Sequence, residues 1–194
     1  MIKIFDFDGT LIDLWPRYHA VFCHLTGSDV ALEEYRDVKM RIKRDEEVAR
    51  ELNCVLPNDY FFRKAELLEY KEFLKMDRLW FSKEELVKMI DDNAFILTKR
   101  RNKEHFDWEM NYLDLSCDYV VVSADTKAEW IKNNIDESVI VIGDSIEDLR
   151  TAFLPQVNAI AVGYGINRRE DFDSLGVRYQ FASSPLELLE MLCR

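Results

Sequence analysis

The sequence predicts an α/β protein: a parallel sheet sandwiched by helices, with a helical segment inserted directly after the first strand. Three observations predict it. From about Asp92 onward, short runs of branched apolar residues alternate with amphipathic stretches. The chain opens on a further apolar run, Ile2 to Phe7. Between the two, residues 15–90 show helical apolar spacing, many charges and no convincing strand.

In chain order, Ile2–Phe7 forms the opening strand. The insertion carries Leu67, Leu68, Phe73 and Leu74, then Leu79, Leu86, Val87 and Ile90, at helical intervals. Strands follow at Ala94–Leu97, Tyr119–Val122, Val139–Ile142 and Ala159–Val162. Helices fall between them at Lys103–Leu113, Lys127–Asn134 and Ile146–Ala152, and Leu186–Leu192 closes the chain. A β-α-β-α run favours a parallel sheet covered on both faces, although strand order is not readable from one sequence. A length of 194 residues suits one core, residues 1–14 and 91–194, with room for an insertion at 15–90. Ligands of open α/β sheets bind beyond the carboxyl ends of the strands, so an insertion rooted there is placed to act as a lid.

Composition excludes several classes. A formal charge of −11 argues against a nucleic-acid partner, which is held by clustered Lys and Arg. No run approaches the ~20 apolar residues of a membrane span, and no signal peptide precedes the first strand. Cys23, Cys54, Cys117 and Cys193 are widely separated, which fits reduced thiols in a cytoplasmic protein. His19, His24 and His105 have no zinc-like spacing with them.

Chemistry concentrates at strand ends. Asp6 and Asp8, two residues apart on a strand, point to one side. Converging carboxylates require a cation or a shared proton between them. A hard ion such as Mg²⁺ fits, and the arrangement suits a carboxylate nucleophile beside an acid/base partner. The plain alternative is an Asp-Gly turn. Thr98 ends its strand, where its hydroxyl either meets a phosphoryl oxygen or caps the next turn. Thr126 and Glu129 have capping-box spacing, so Lys127 starts a helix where its charge opposes the dipole. That makes it a candidate cation for phosphate or nucleophile, with Lys132 as the alternative and a solvated Lys as the plain reading. Asp144 follows the most apolar strand as a third metal carboxylate. Asp148, one turn on, either orients the Lys, binds a metal-held water, or completes a capping box with Ser145.

Taken together, these features resemble the haloacid dehalogenase-like superfamily. Asp6-Phe7-Asp8-Gly9-Thr10 matches its first motif, Thr98 its second, Lys127 its third, and Gly143-Asp144 with Asp148 its fourth. Gly163-Tyr164-Gly165 and Ser184-Pro185-Leu186-Glu187-Leu188 look like the tail of phosphoglycolate-phosphatase-like members. No Pro follows Lys127, and the stretch from it to Asp144 is shorter than in those members, which keeps Lys132 open. The resemblance implies a Rossmann-like core, a helical cap, and a Mg²⁺-dependent phosphatase working through an aspartyl-phosphate. Asp6 would attack phosphorus and Asp8 would move the proton. The metal would sit on Asp6, the backbone carbonyl of Asp8, and Asp144, with Asp148 at its edge. Thr98, Lys127 and Gly9 would hold the phosphoryl group of a small phosphorylated metabolite.

The remaining expectations are coarser. Lys99, Arg100, Arg101 and Lys103 read as a solvated helix start, with Lys99 or Arg100 able to touch an anion. Arg17, Tyr18, Arg36 and Arg41 are candidate substrate contacts by position alone, and Phe61, Phe62, Trp80 and Phe81 read as cap core. A phosphomutase uses the same motifs, and a catalytically silent binding module would keep the fold. A dehalogenase needs only the nucleophile, so Asp8 and the metal set argue against it. A monomer or a homodimer is expected.

Overall fold

The computed structural model describes residues 1–122 and 125–193. Strand β1 (Ile2–Phe5) leads to the short β2 (Ile12–Asp13). Five helices follow: α1 (Trp15–Thr26), α2 (Leu32–Arg41), α3 (Asp45–Glu51), α4 (Tyr60–Leu67) and α5 (Lys71–Leu74). The chain returns through β3 (Arg78–Leu79) and α6 (Lys83–Met89). It then alternates through β4 (Ala94–Thr98), α7 (Lys103–Tyr112), β5 (Tyr119–Val121), α8 (Lys127–Asn134) and β6 (Val139–Gly143). Last come α9 (Ile146–Arg150), β7 (Val157–Val162), α10 (Arg169–Asp173), β8 (Gln180–Ala182) and α11 (Pro185–Leu192).

Six strands form one parallel sheet in the order β5-β4-β1-β6-β7-β8. Strand periodicity sorts the apolar residues to two faces. Phe5, Ile96, Ile142, Ile160 and Val162 join Phe106, Met110 and Leu188 on one side, under α7 and α11. Their neighbours Ile4, Leu97 and Val141 join Val139, Val157 and Ile131 of α8 on the other. Both faces are therefore buried, as the near-continuous apolar strands require.

Helices α1–α4 bury a separate cluster that includes Trp15, Val21, Phe22, Tyr35, Val48 and Tyr60. The chain enters and leaves this helical segment through one antiparallel ribbon, where Ile12 pairs with Leu79 and Asp13 with Arg78. Phe81, Leu86 and Met89 pack instead with Phe5 and Phe7 on the sheet.

Several elements differ from expectation for local reasons. β1 ends at Phe5 rather than Phe7, because the Phe7 carbonyl accepts from the Thr10, Leu11 and Ile12 amides and bends the chain. β3 lies inside the stretch expected to hold no strand; two residues are too few to register as a run. α10 and β8 were not anticipated, since Gln180-Phe181-Ala182 lacks branched residues. The helix expected to reach Ala152 stops at Arg150 and tightens into a 3₁₀ turn, Thr151–Phe153. Phe61 and Phe62 are not cap core: they are 54% and 68% exposed. Trp80 and Phe81 are packed on the sheet-side cluster. Among the described residues, no helix is long and apolar enough to cross a membrane.

Phe106 is fully buried and meets Phe7 edge-on at 4.9 Å between ring centres. Phe106→Ala should cost about 3–5 kcal/mol in urea unfolding, because the rigid strand beneath cannot collapse into the void.

Candidate active site

β1 lies between β4 and β6, and the chain passes from it to one side of the sheet and later to the other. This is the switch point at which an open α/β sheet leaves a crevice at its carboxyl edge. Asp6, Asp8, Thr98, Lys127 and Asp144 all line one cavity there, of about 420 Å³. Tyr18 of α1 and Phe61 and Lys64 of α4 wall its opposite side. Six cationic side chains reach this cavity, Arg17, Lys64, Lys99, Arg100, Arg101 and Lys127, alongside six acidic ones, Asp6, Asp8, Asp45, Glu69, Asp144 and Glu147.

Asp6 is buried at the end of β1. Lys127 Nζ donates to Asp6 Oδ1, and to Asp148 Oδ1 at 2.6 Å. The Thr126 capping box starts α8 so that Lys127 points inward. Asp148 is fixed from behind by the Ser145 amide at 3.1 Å and the Ser145 hydroxyl at 2.5 Å. It therefore serves the capping box and the lysine together. Asp144 accepts the Ile166 amide at 2.6 Å. Gly9, at φ +79°, and Gly165 crowd this carboxylate so closely that a Cβ at either position would overlap it. Asp6, Asp144 and Asp148 each offer an oxygen within 4.8 Å of the others. Burial, and after it the charge of Asp148, push the Asp6 carboxyl up to about 7. Burial followed by Asp6 and Asp148 drives Asp144 well above the ordinary range. Burial opposes the charge of Lys127, yet Asp148 and Asp6 outweigh it and raise the ammonium.

Asp8 turns to a different set of partners. Arg100 donates to it through Nε at 2.5 Å and Nη2 at 2.9 Å, and Arg17 through Nη2. Burial alone would raise the Asp8 carboxyl, but Arg100 and Arg17 hold it below its usual 3.8. Behind the guanidiniums lie Glu109, 2.8 Å from Arg100 Nη2, and Asp77, 3.3 Å from Arg17 Nη1. Burial, aided by the neighbouring Glu109 carboxylate, pushes Asp77 up to about 9 against the pull of Arg17.

No protein-family model matches the chain, and no curated protein matches it. Solved structures do. A haloacid dehalogenase-like hydrolase from Streptococcus pneumoniae is similar over 98% of this chain and 97% of its own, with TM-score 0.68 and 19% identity. The chain has the haloacid dehalogenase-like fold. A predicted phosphoglycolate phosphatase from Haemophilus somnus is similar at TM-score 0.63 and 16% identity, covering 98% of this chain and 96% of that one. Protein Tyrosine Kinase A of Mycobacterium tuberculosis is similar at TM-score 0.68 and 18% identity, covering 98% and 97%.

On this haloacid dehalogenase-like core, the two lysine candidates separate: Lys127 is buried against Asp6, and Lys132 is exposed. Gly9 is not among the residues lining the cavity and instead makes room for Asp144. Asp8 stands outside the carboxylate group that could share a cation, its side chain being committed to arginines. Of the four positional candidates, Arg17 and Tyr18 reach the cavity. Arg36 bonds the Tyr164 carbonyl and Arg41 pairs with Glu51 on the surface. Arg100 is 5% exposed and far from a solvated helix start. Glu109 and Asp77 were missed. Glu109 had a signal, since it shares the inner face of α7 with Phe106 and Met110 at helical spacing; Asp77 had none.

An acid whose pKa is higher in the folded chain than in the unfolded one makes folding take up a proton. Its contribution to stability is complete below 3.8 and declines as pH climbs to about 9. Asp77→Asn keeps the shape and removes this titration. Its unfolding free energy should therefore gain on wild type between pH ~5 and ~9 in urea titrations; a constant difference would contradict the assignment.

Proposed function

We propose that this protein is a Mg²⁺-dependent phosphatase that hydrolyses a small phosphorylated metabolite through an aspartyl-phosphate. The observation that carries the reading is the meeting of Asp6, Lys127, Asp144 and Asp148 in one buried cluster at the cavity beyond the sheet's carboxyl edge. Three hard carboxylates with one ammonium between two of them leave negative charge uncompensated, and an all-oxygen donor set suits Mg²⁺. Asp6 and Asp144 with the backbone carbonyl of Asp8 would hold the ion, which would supply charge neutralisation for the anionic phosphoryl group.

Asp6 attacks phosphorus, the bond to the ester oxygen breaks, and that oxygen takes a proton from Asp8. Water then gives its proton to Asp8 and attacks the phosphorus of the aspartyl-phosphate, releasing phosphate and restoring Asp6. Because Arg17 and Arg100 keep Asp8 ionised beforehand, the proton arrives with the substrate, whose phosphoryl group has its second ionisation near pH ~6. Thr98 and Lys127 hold the phosphoryl oxygens, positioning and charge doing most of the work. Predicted phosphatases among structures of the same fold support the reading.

The helical segment is the lid of this site. Its own apolar cluster and the ribbon at its root support bounds near residues 15–77, narrower than 15–90, with residues 81–89 belonging to the core. Free thiols at all four cysteines support a cytoplasmic location.

Purified protein should release phosphate from p-nitrophenyl phosphate only with Mg²⁺ present. Asp6→Asn should lower that rate at least ~10³-fold, and Lys127→Ala about 10²–10³-fold. A normal rate in Asp6→Asn, or turnover undiminished by a chelator, would overturn the mechanism. A panel of phosphate esters then identifies the substrate.

A further inference from the structure

We propose that Arg17 and Arg100 are positioning residues that aim Asp8, Arg100 from the core and Arg17 from the helical lid, so that the full grip requires the lid to be seated. The inference rests on the phosphatase reading, in which Asp8 moves the proton.

Both carboxylate oxygens of Asp8 are occupied. Arg100 straddles them, Nε on Oδ2 at 2.5 Å and Nη2 on Oδ1 at 2.9 Å, while Arg17 Nη2 donates to Oδ1 from the other side. A planar fork engaging both oxygens fixes rotation of a carboxylate, which a single ammonium does not. The forks are themselves fixed. Arg17, 2% exposed, also donates to the Leu68 carbonyl at 3.2 Å and pairs with Asp77 at 3.3 Å. Arg100 also meets Glu109 at 2.8 Å, Asp77 at 3.7 Å and Glu69 at 3.8 Å.

These partners belong to different parts of the chain. Arg17 is on α1, and Leu68 and Glu69 follow α4, all within the helical segment. Arg100 follows β4, and Glu109 is on the sheet-packed α7. Asp77 stands immediately before β3, where the segment rejoins the core. Withdrawal of the lid would carry Arg17 and Glu69 away together, releasing one side of the grip on Asp8. Burying a guanidinium is unfavourable unless its charge finds a partner, and Arg17 finds its carboxylates, Asp8 and Asp77, outside the helices of its own segment. Proton delivery to the leaving oxygen is thereby coupled to the position of the lid.

The test compares Arg17→Gln, Arg17→Lys, Arg100→Gln and Arg100→Lys on two aryl phosphates of similar size. p-Nitrophenyl phosphate has a good leaving group that needs little protonation, whereas phenyl phosphate has a poor one. In the Gln variants, kcat/KM for phenyl phosphate should fall by about 100-fold. For p-nitrophenyl phosphate it should fall no more than several-fold, with Lys recovering part of the difference. Equal fractional losses on both substrates, or no loss, would overturn the proposal, since a merely structural role does not discriminate leaving groups. If a Gln variant fails to fold by circular dichroism, the Lys variant at that position, which keeps the charge, carries the same comparison. Asp6→Asn separates the two levels. If it is inactive while the arginine variants lose both substrates equally, only the clamp fails; if it is active, the phosphatase reading fails with it.

Discussion

Buried negative charge at the carboxyl edge of the sheet is the constraint from which the rest of this site follows. Asp6, Asp144 and Asp148 are all under a tenth exposed, and Asp8 is pressed beside them. A buried carboxylate must be paired, protonated or bound to a metal. The pairing is plain at Lys127, which sits between Asp6 and Asp148, while burial beside Glu109 pushes the Asp77 carboxyl upward. For Asp144 the fold supplies one backbone amide, which leaves that buried carboxyl without a cation of its own.

Meeting the needs of these carboxylates organises the surrounding chain. Lys127 reaches Asp6 from the first position of α8, and the Thr126 capping box starts the helix at that point. Asp148 can support that lysine only if α9 begins immediately after Asp144, and the Ser145 capping box does this. Gly9 and Gly165 keep their Cβ space clear so that Asp144 fits between two loops. Four separate elements are thus timed to the same point, and cap chemistry within the helices is what sets the timing.

Features encoded by neighbours in sequence were readable, while those made by distant residues were not. The strands of branched residues and α8 were legible because periodicity and caps are local. Lys127 was legible for the same reason: its helix start is written in Thr126 and Glu129. Arg100 was not, because the run Lys99-Arg100-Arg101 looks like any solvated basic stretch until Glu109, Asp77 and Asp8 are brought around it. The exposed Phe61 and Phe62 are the converse. Helical spacing cannot tell an aromatic facing its own core from one facing a cavity or solvent, and α4 places Phe61 at the cavity wall.

The two aspartates that follow β1 end with opposite kinds of cation, and the difference suits the roles proposed for them. Asp6 meets an ammonium, a compact charge on a flexible stem that can move toward an incoming phosphoryl oxygen without leaving the cluster. Asp8 meets two guanidiniums, which never give up their protons and whose planar forks resist rotation. Exchanging them would leave a nucleophile locked against its partner and a proton carrier free to turn. With Lys127 on α8 and Asp8 gripped by Arg100 from the core and Arg17 from the helical segment, the proposed mechanism would let Asp6 respond to the ligand while Asp8 responds to the lid.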